Sequence, residues 1–367
     1  MGNGEIEKVV DYNAKRTMPA APPVPYLRQP LPSGLILGSF GALALPLAAV
    51  LVSSLPQGSK DAIRLSYFWL FGLTHFVLTF TVYFRHENRT FFGSSRTNRV
   101  VYFGAPLFIF AGFDLYGAFG VAATLPALDV GFRLAIRFAD FHHFGRQAFG
   151  VLQLFKTSWQ GGFSPWLRRA ENLLLWCMAF LMFETFAYGG RFTADPWIVR
   201  ATLVVFAALL ALVVVGYVQA ARRATDLRSV CVPATYLALN LAAGGLAVSQ
   251  TLLYFATLAI HYVEYHVLMA PRWFQSSSSP AARLDRVFDR IRRRPVVFYA
   301  LLIELAALAL LPFVSNSMAT GISNPGYRIG IHLLDGLFVF HYFLEAFIWK
   351  FGDPFYRRTL GPLYLPR

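Results

Sequence analysis

The sequence predicts an all-α, polytopic integral membrane bundle of about ten transmembrane helices with both termini in the cytoplasm. Three observations predict it. Hydrophobic residues make up 56% of the 367 residues and charged residues only 14%, against about 25% charged in ordinary soluble proteins, and mean hydropathy is +0.49. Apolar runs recur at the length of about 20 residues that crosses a hydrocarbon layer. Lys and Arg alternate between abundance and scarcity from one connecting segment to the next. The same composition excludes a disordered chain, a disulfide scaffold and a soluble dinucleotide-binding enzyme. The two cysteines, Cys177 and Cys231, lie in apolar segments without metal-type spacing.

Residues 1–33 are polar and proline-rich, with Pro22, Pro23, Pro25, Pro30 and Pro32, and read as a cytoplasmic tail. They hold no apolar core followed by a cleavage site, so no secretory signal peptide is expected. The single membrane domain then runs over 34–350. Its spans fall at 34–55, 65–84, 100–123, 128–155, 171–188, 197–220, 231–247, 250–270, 295–314 and 329–350. The fourth is long and interrupted by charge, and only a tight turn separates the seventh from the eighth. A cytoplasmic tail at 351–367 closes the chain.

Alternate segments, beginning with the N-terminal tail, carry 25 of the 33 Lys and Arg residues. The intervening segments carry 4, and Arg133, Arg137, Arg146 and Arg200 lie inside spans. This asymmetry orients the chain with both ends inside. It also accounts for the net charge of +14 as basic flanks of membrane spans, with no nucleic-acid partner expected. The loop 271–294 is the most basic. Its serine run 276–279 and Pro280 form a flexible linker. Residues 281–294 then read either as a basic amphipathic helix for an anionic leaflet, with Leu284, Val287, Phe288 and Ile291 on one side, or as a loop obeying the positive-inside rule. A bacterial inner membrane is the expected location.

Ionisable residues inside spans are costly and mark function. His75, His142, His143, His261, His332 and His341 fall within spans, as do Asp140, Glu264, Asp335 and Glu345. Side chains three or four residues apart share a helical face. His261 pairs with Glu264 in this way, His341 with Glu345, His332 with Asp335, and Asp140 with His143. Spans two, four, eight and ten all run from outside to inside. They therefore bring His75, His142/His143, His261 and His341 to similar depths. Imidazole and carboxylate from facing helices are what a metal site in a bundle requires.

The chemistry expected is that of a membrane-embedded, metal-dependent oxidoreductase. The cofactor is a divalent metal, iron first, acting on a lipid-like or isoprenoid substrate. His75, His143, His261 and His341, with His142 beside them, are the metal ligands, and Glu264 and Glu345 are bridging or terminal carboxylates. Asp140 orients His143. Arg146 holds a substrate anion or pairs with Glu264 or Glu345. His332 and Asp335 form an outer pair of unassigned role. Membrane desaturases and hydroxylases run such chemistry from HxxxH and HxxHH boxes. Those boxes are absent here, so the parallel is chemical only. No flavin or dinucleotide fingerprint is present, so an oxygenase of this kind takes its electrons from a separate protein. The remaining alternatives are a zinc hydrolase, a b-type cytochrome with haem held by His75 and His261 or His341, a transporter with a His/Glu relay, and a scaffold.

The orientation is directly testable. A fluorescent protein fused after residue 367 should light up in the cytoplasm, and alkaline phosphatase fused within 124–127 should be active outside. The reverse pattern would overturn the assignment.

Overall fold

The computed structural model describes residues 26–160, 162–188, 196–274, 283–319 and 325–365. Those residues are helical throughout, with no strand among them. We label the principal helices α1 (Pro30–Val52), α2 (Gln57–Phe84), α3 (Arg96–Ala118), α4 (Pro126–Ser158), α5 (Pro165–Tyr188), α6 (Pro196–Arg223), α7 (Arg228–Ser249), α8 (Thr251–Phe274), α9 (Arg283–Arg292), α10 (Pro295–Ala319) and α11 (Pro325–Ile348). Six of them open on proline, whose fixed φ and missing N–H suit the first helical turn. The first three each contain a π-turn, at Phe40–Ala44, Phe68–Leu73 and Val100–Gly104.

Seven helices, α1, α2, α3 and α5 to α8, are long and apolar enough to cross a membrane. This makes the chain a multi-pass membrane protein. Helices also lie at the three other expected positions, with different character. The 33-residue α4 carries five charged residues between 129 and 146, and the apolar part of α10 is the shorter stretch Pro295–Leu308.

Between helices in lipid there is little hydrophobic driving force, so close packing and buried polar contacts decide which helices meet. α8 is the central element: 72% of its apolar window is buried, against 6% for α6 at the rim. It packs against α1, α2, α4 and α7, while α11 packs against α2, α3, α4 and α10. Gly72, in the π-turn of α2, admits this packing. A Cβ there would stand 2.9 Å from the Tyr262 ring of α8.

The segments read as tails are partly built into the fold. Leu27 is fully buried, and the Tyr26 hydroxyl donates to the Val267 carbonyl (3.1 Å). At the other end, the short helices Pro354–Thr359 and Gly361–Tyr364 fold back. Tyr364 is buried, its hydroxyl bonds the Leu268 carbonyl, and its own carbonyl accepts from Ser158 (3.0 Å). The aromatic residues in these stretches find partners at the C-terminal end of α8, which polarity counting along the chain does not register. Residues 1–25 and the linker serines lie outside the described residues.

Lys156, assigned from sequence to a cytoplasmic loop, is instead buried near the end of α4. Its Nζ donates to both oxygens of the buried Glu171 of α5 at 2.9 and 2.7 Å, and Gln153 adds a third contact to that carboxylate at 3.1 Å. Removing one partner of such a pair strands a buried charge, at about 3–5 kcal/mol. Lys156→Met alone should therefore lower the unfolding temperature strongly. The double variant Lys156→Met/Glu171→Leu should recover most of the loss, measured by thermal unfolding in detergent.

Candidate metal centre

Four helices deliver one imidazole each to a single point inside the bundle: His75 from α2, His143 from α4, His261 from α8 and His341 from α11. All four are buried, and one ligand nitrogen from each lies within 4.8 Å of the others. His341 Nε2 is the hub. It stands 2.8 Å from His75 Nε2 and 3.2 Å from His143 Nε2. The His261 ring centroid is 4.9 Å from that of His75 and 5.0 Å from that of His143.

A neutral imidazole offers one donor and one acceptor nitrogen. In either tautomer, His341 Nε2 has a single hydrogen or a single lone pair to share between two neighbouring nitrogens. One contact can be satisfied well by hydrogen bonding, and the other cannot. A cation satisfies both. Ligand nitrogens about 2.0–2.1 Å from a metal stand about 3.3 Å apart around a tetrahedral ion and roughly 3 Å apart at adjacent positions of an octahedral one. The observed 2.8 and 3.2 Å fall close to that range. The cluster thus has the donors and the spacing of a metal site, although the geometry does not identify the metal.

A polar shell holds the ligands. Thr79 lies one turn after His75. Its Oγ1 is 2.6 Å from His341 Nδ1 and 3.1 Å from the Tyr265 hydroxyl. A His341 Nδ1–H donated to Thr79 leaves Nε2 free for a metal, the arrangement that fixes tautomer and ring orientation in metal sites. Gln147, one turn after His143, donates to the His261 carbonyl (3.0 Å) and so ties α4 to α8. The Tyr342 ring stacks on His143 at 4.5 Å. Phe76, Phe144, Tyr262 and Tyr265 complete an aromatic wall, with ring centroids 4.3–5.8 Å from the imidazoles.

Of the carboxylates expected to join the site, Glu345 contacts a cluster histidine. Glu345 Oε2 is 3.7 Å from His143 Nε2, while its buried Oε1 has no hydrogen-bond partner. Glu264 is buried beside Tyr236 and Gln147, and its Oε1 is likewise unpartnered. Neither carboxylate belongs to the group gathered within 4.8 Å.

Asp140 makes no hydrogen bond to His143. It accepts from Tyr254 (2.6 Å) and Tyr342 (2.5 Å), and Arg137 lies 3.4 Å away on its own helix. Its link to His143 therefore runs through the stacked Tyr342 ring. His142 points away from the cluster and packs on Trp176, with centroids 4.2 Å apart, because adjacent helical residues diverge by about 100°. Arg146 pairs with neither glutamate. It is exposed, donates to Asn172 (2.8 Å) and covers Phe149. The outer pair forms, with His332 Nδ1 3.5 Å from Asp335 Oδ2 and the Tyr116 ring against the imidazole. It sits nine residues, about 14 Å along α11, from His341.

Sequence reasoning missed Thr79, Tyr265, Tyr254 and Tyr342 as supports. Only Thr79 and Gln147 carry a local signal, each lying four residues after a ligand.

No protein-family model matches this chain, and neither the curated proteins nor the solved structures contain a significant match to it. Fold and site together define a multi-pass helical membrane protein with a buried four-histidine cluster whose donors and spacing could hold a metal ion.

His341→Ala should abolish high-affinity metal binding, whereas His142→Ala should leave it within about twofold. Thr79→Val should weaken it by about 10–100-fold, the usual cost of removing a hydrogen bond behind a ligand. Cobalt titration of the metal-stripped protein, read by absorbance, measures all three. Equal loss in the His142 and His341 variants would refute the assignment.

Proposed function

We propose that the protein is a membrane-embedded, metal-dependent oxidoreductase carrying non-haem iron and acting on a hydrophobic, lipid-like or isoprenoid substrate. The observation that carries this reading is the convergence of four buried imidazoles inside an apolar, aromatic-walled bundle. All-nitrogen ligation without a thiolate suits iron, manganese or zinc. Four imidazoles close a tetrahedral zinc ion, as in structural sites. His75, His143, His261 and His341 would equally suit an iron ion that also takes ligands from outside the protein. Haem is disfavoured, because a 2.8 Å gap between His75 and His341 nitrogens leaves no space for a porphyrin plane. Iron bound there would supply one-electron and dioxygen chemistry.

The chain's own residues have separable roles in this reading. His75, His143, His261 and His341 hold the ion. Thr79 and Tyr265 fix His341, Gln147 fixes the backbone at His261, and Tyr342 transmits the clamp on Asp140 to His143. Glu345 and Glu264, each with an unpartnered oxygen, would hold or accept a proton. Phe76, Phe144 and Tyr262 exclude water and present an apolar surface to a hydrocarbon substrate. Membrane lipids surround the site, and electrons for a monooxygenase come from a separate donor protein. In this reading all ten helices span a bacterial inner membrane, with both termini in the cytoplasm.

Elemental analysis and an absorption spectrum of the same detergent-purified sample test the proposal. One or two equivalents of iron without a Soret band should be found, and the metal should disappear in the His261→Ala/His341→Ala variant. Dioxygen uptake after reduction should track the iron content. One equivalent of zinc with no iron, a Soret band, or full metal content in the double variant would overturn it.

A further inference from the structure

A second site lies at the end of the bundle that carries the basic segments, and it shares no residue with the histidine cluster. There α2 ends and Arg85 follows, α8 ends with Arg272 and Trp273, and α9 crosses over them. Arg85, Arg272 and Arg292 line a cavity of about 30 Å³ between these elements. This is about twice the space one water needs. It has room for the oxygens of an anionic group, and a bulkier body would rest outside.

Its walls are apolar and aromatic. Phe288 of α9 stacks on Phe84 of α2 at 4.2 Å and 11°, and Trp273 packs against Phe298 of α10 at 5.1 Å. α9 is therefore docked on the bundle through the apolar face read from sequence, with Phe288 and Ile291 lining the cavity. Val287 remains exposed.

The charges do not balance. Asp289 pairs with Arg292 on α9, and Glu87 stands 3.8 Å from Arg85. Among the described residues that pair with these arginines, two carboxylates thus face three guanidiniums. Arg85 spends one N–H on the Arg272 carbonyl (2.7 Å). Arg272 and Arg292 are each more than nine-tenths buried, yet Arg272 Nη1 and Arg292 Nε have no hydrogen-bond partner. The Glu345 carboxylate and the tyrosines 265, 356 and 364 also lie within electrostatic reach of Arg272, and among the described residues Glu345 makes no hydrogen bond to it. Burial, together with the like charges of Arg272 and Arg292 acting against Glu87 and Asp289, pushes the Arg85 guanidinium down to about 10, still charged at neutral pH. A buried guanidinium donor without an acceptor is costly, and phosphate is the group that arginine forks bind best.

We propose that Arg85, Arg272 and Arg292 form a binding site for a phosphate-class anion, with the Phe84–Phe288 and Trp273–Phe298 walls receiving whatever apolar body carries it. An anionic phospholipid headgroup and free phosphate share this chemistry. The aromatic walls at the membrane boundary favour the lipid. Such a ligand staples α9 to the ends of α2 and α8.

The test uses the full-length protein in detergent. Native mass spectrometry reads retention of phosphatidylglycerol against phosphatidylcholine, and isothermal titration reads inorganic phosphate. Selective one-to-one retention of phosphatidylglycerol supports the lipid source, and one-to-one phosphate binding without lipid selectivity supports the free anion. In either case Arg292→Gln and Arg85→Gln should each weaken binding by roughly tenfold. Arg292→Lys should weaken it less, and Arg223→Gln, at an exposed position on α6, should have no effect. The conservative lysine variant covers the case in which the glutamine variant fails to fold. Equal retention of both lipids with no phosphate binding would overturn the proposal. So would equal loss in the Arg223 and Arg292 variants, or binding that none of the variants changes.

Discussion

His341 Nε2 meets two other imidazole nitrogens at 2.8 and 3.2 Å, with all three rings buried inside the bundle. Three neutral rings cannot all be satisfied at such a point, and in an apolar medium the shortfall is expensive. The local architecture answers that constraint. Thr79, itself bonded to the Tyr265 hydroxyl, takes up the far nitrogen of His341, aromatic rings pack the faces of the imidazoles, and the Glu345 carboxylate waits beside His143. A cation at the point of convergence turns a crowded, under-satisfied cluster into a coordinated one.

The same economy governs the other buried charges. Asp140 is clamped by two tyrosines and Arg137, and Lys156 is locked to Glu171 with Gln153 alongside. Each of these sets joins different helices: α4 to α8 and α11 in the first, α4 to α5 in the second. Apolar contacts alone discriminate poorly between helices already dissolved in hydrocarbon. These polar sets therefore fix which faces meet, and in doing so fix where the four histidines point. The arginine cavity at the C-terminal end of α8 is the exception, because Arg272 Nη1 and Arg292 Nε are left without acceptors.

Most of the architecture is legible from the sequence because a membrane imposes simple rules. Span length follows from hydrocarbon thickness. The ligand histidines were legible for the same reason: an imidazole in a span stands out against its background. Thr79 lies one turn after His75 in sequence, and nothing local links it to His341, 262 residues away. His142 and His143 are equivalent in sequence and separate only when α5 places Trp176 against one of them. Arg146 looked like a buried cation in search of an anion until its exposure on α4 and its bond to Asn172 were seen.

By itself the sequence determined the class of the protein, the helical segments and the four histidines at similar depth, since each depends on composition, periodicity or distance along a helix axis. Only the tertiary structure decided the rotation of each helix about that axis. That rotation gathers His75, His143, His261 and His341, turns His142 and Arg146 outward, and leaves Glu264 and Glu345 beside the cluster. It is set by long-range contacts between helices, among them Gly72 against Tyr262 and Gln147 against the His261 carbonyl, and no span encodes such contacts within its own residues.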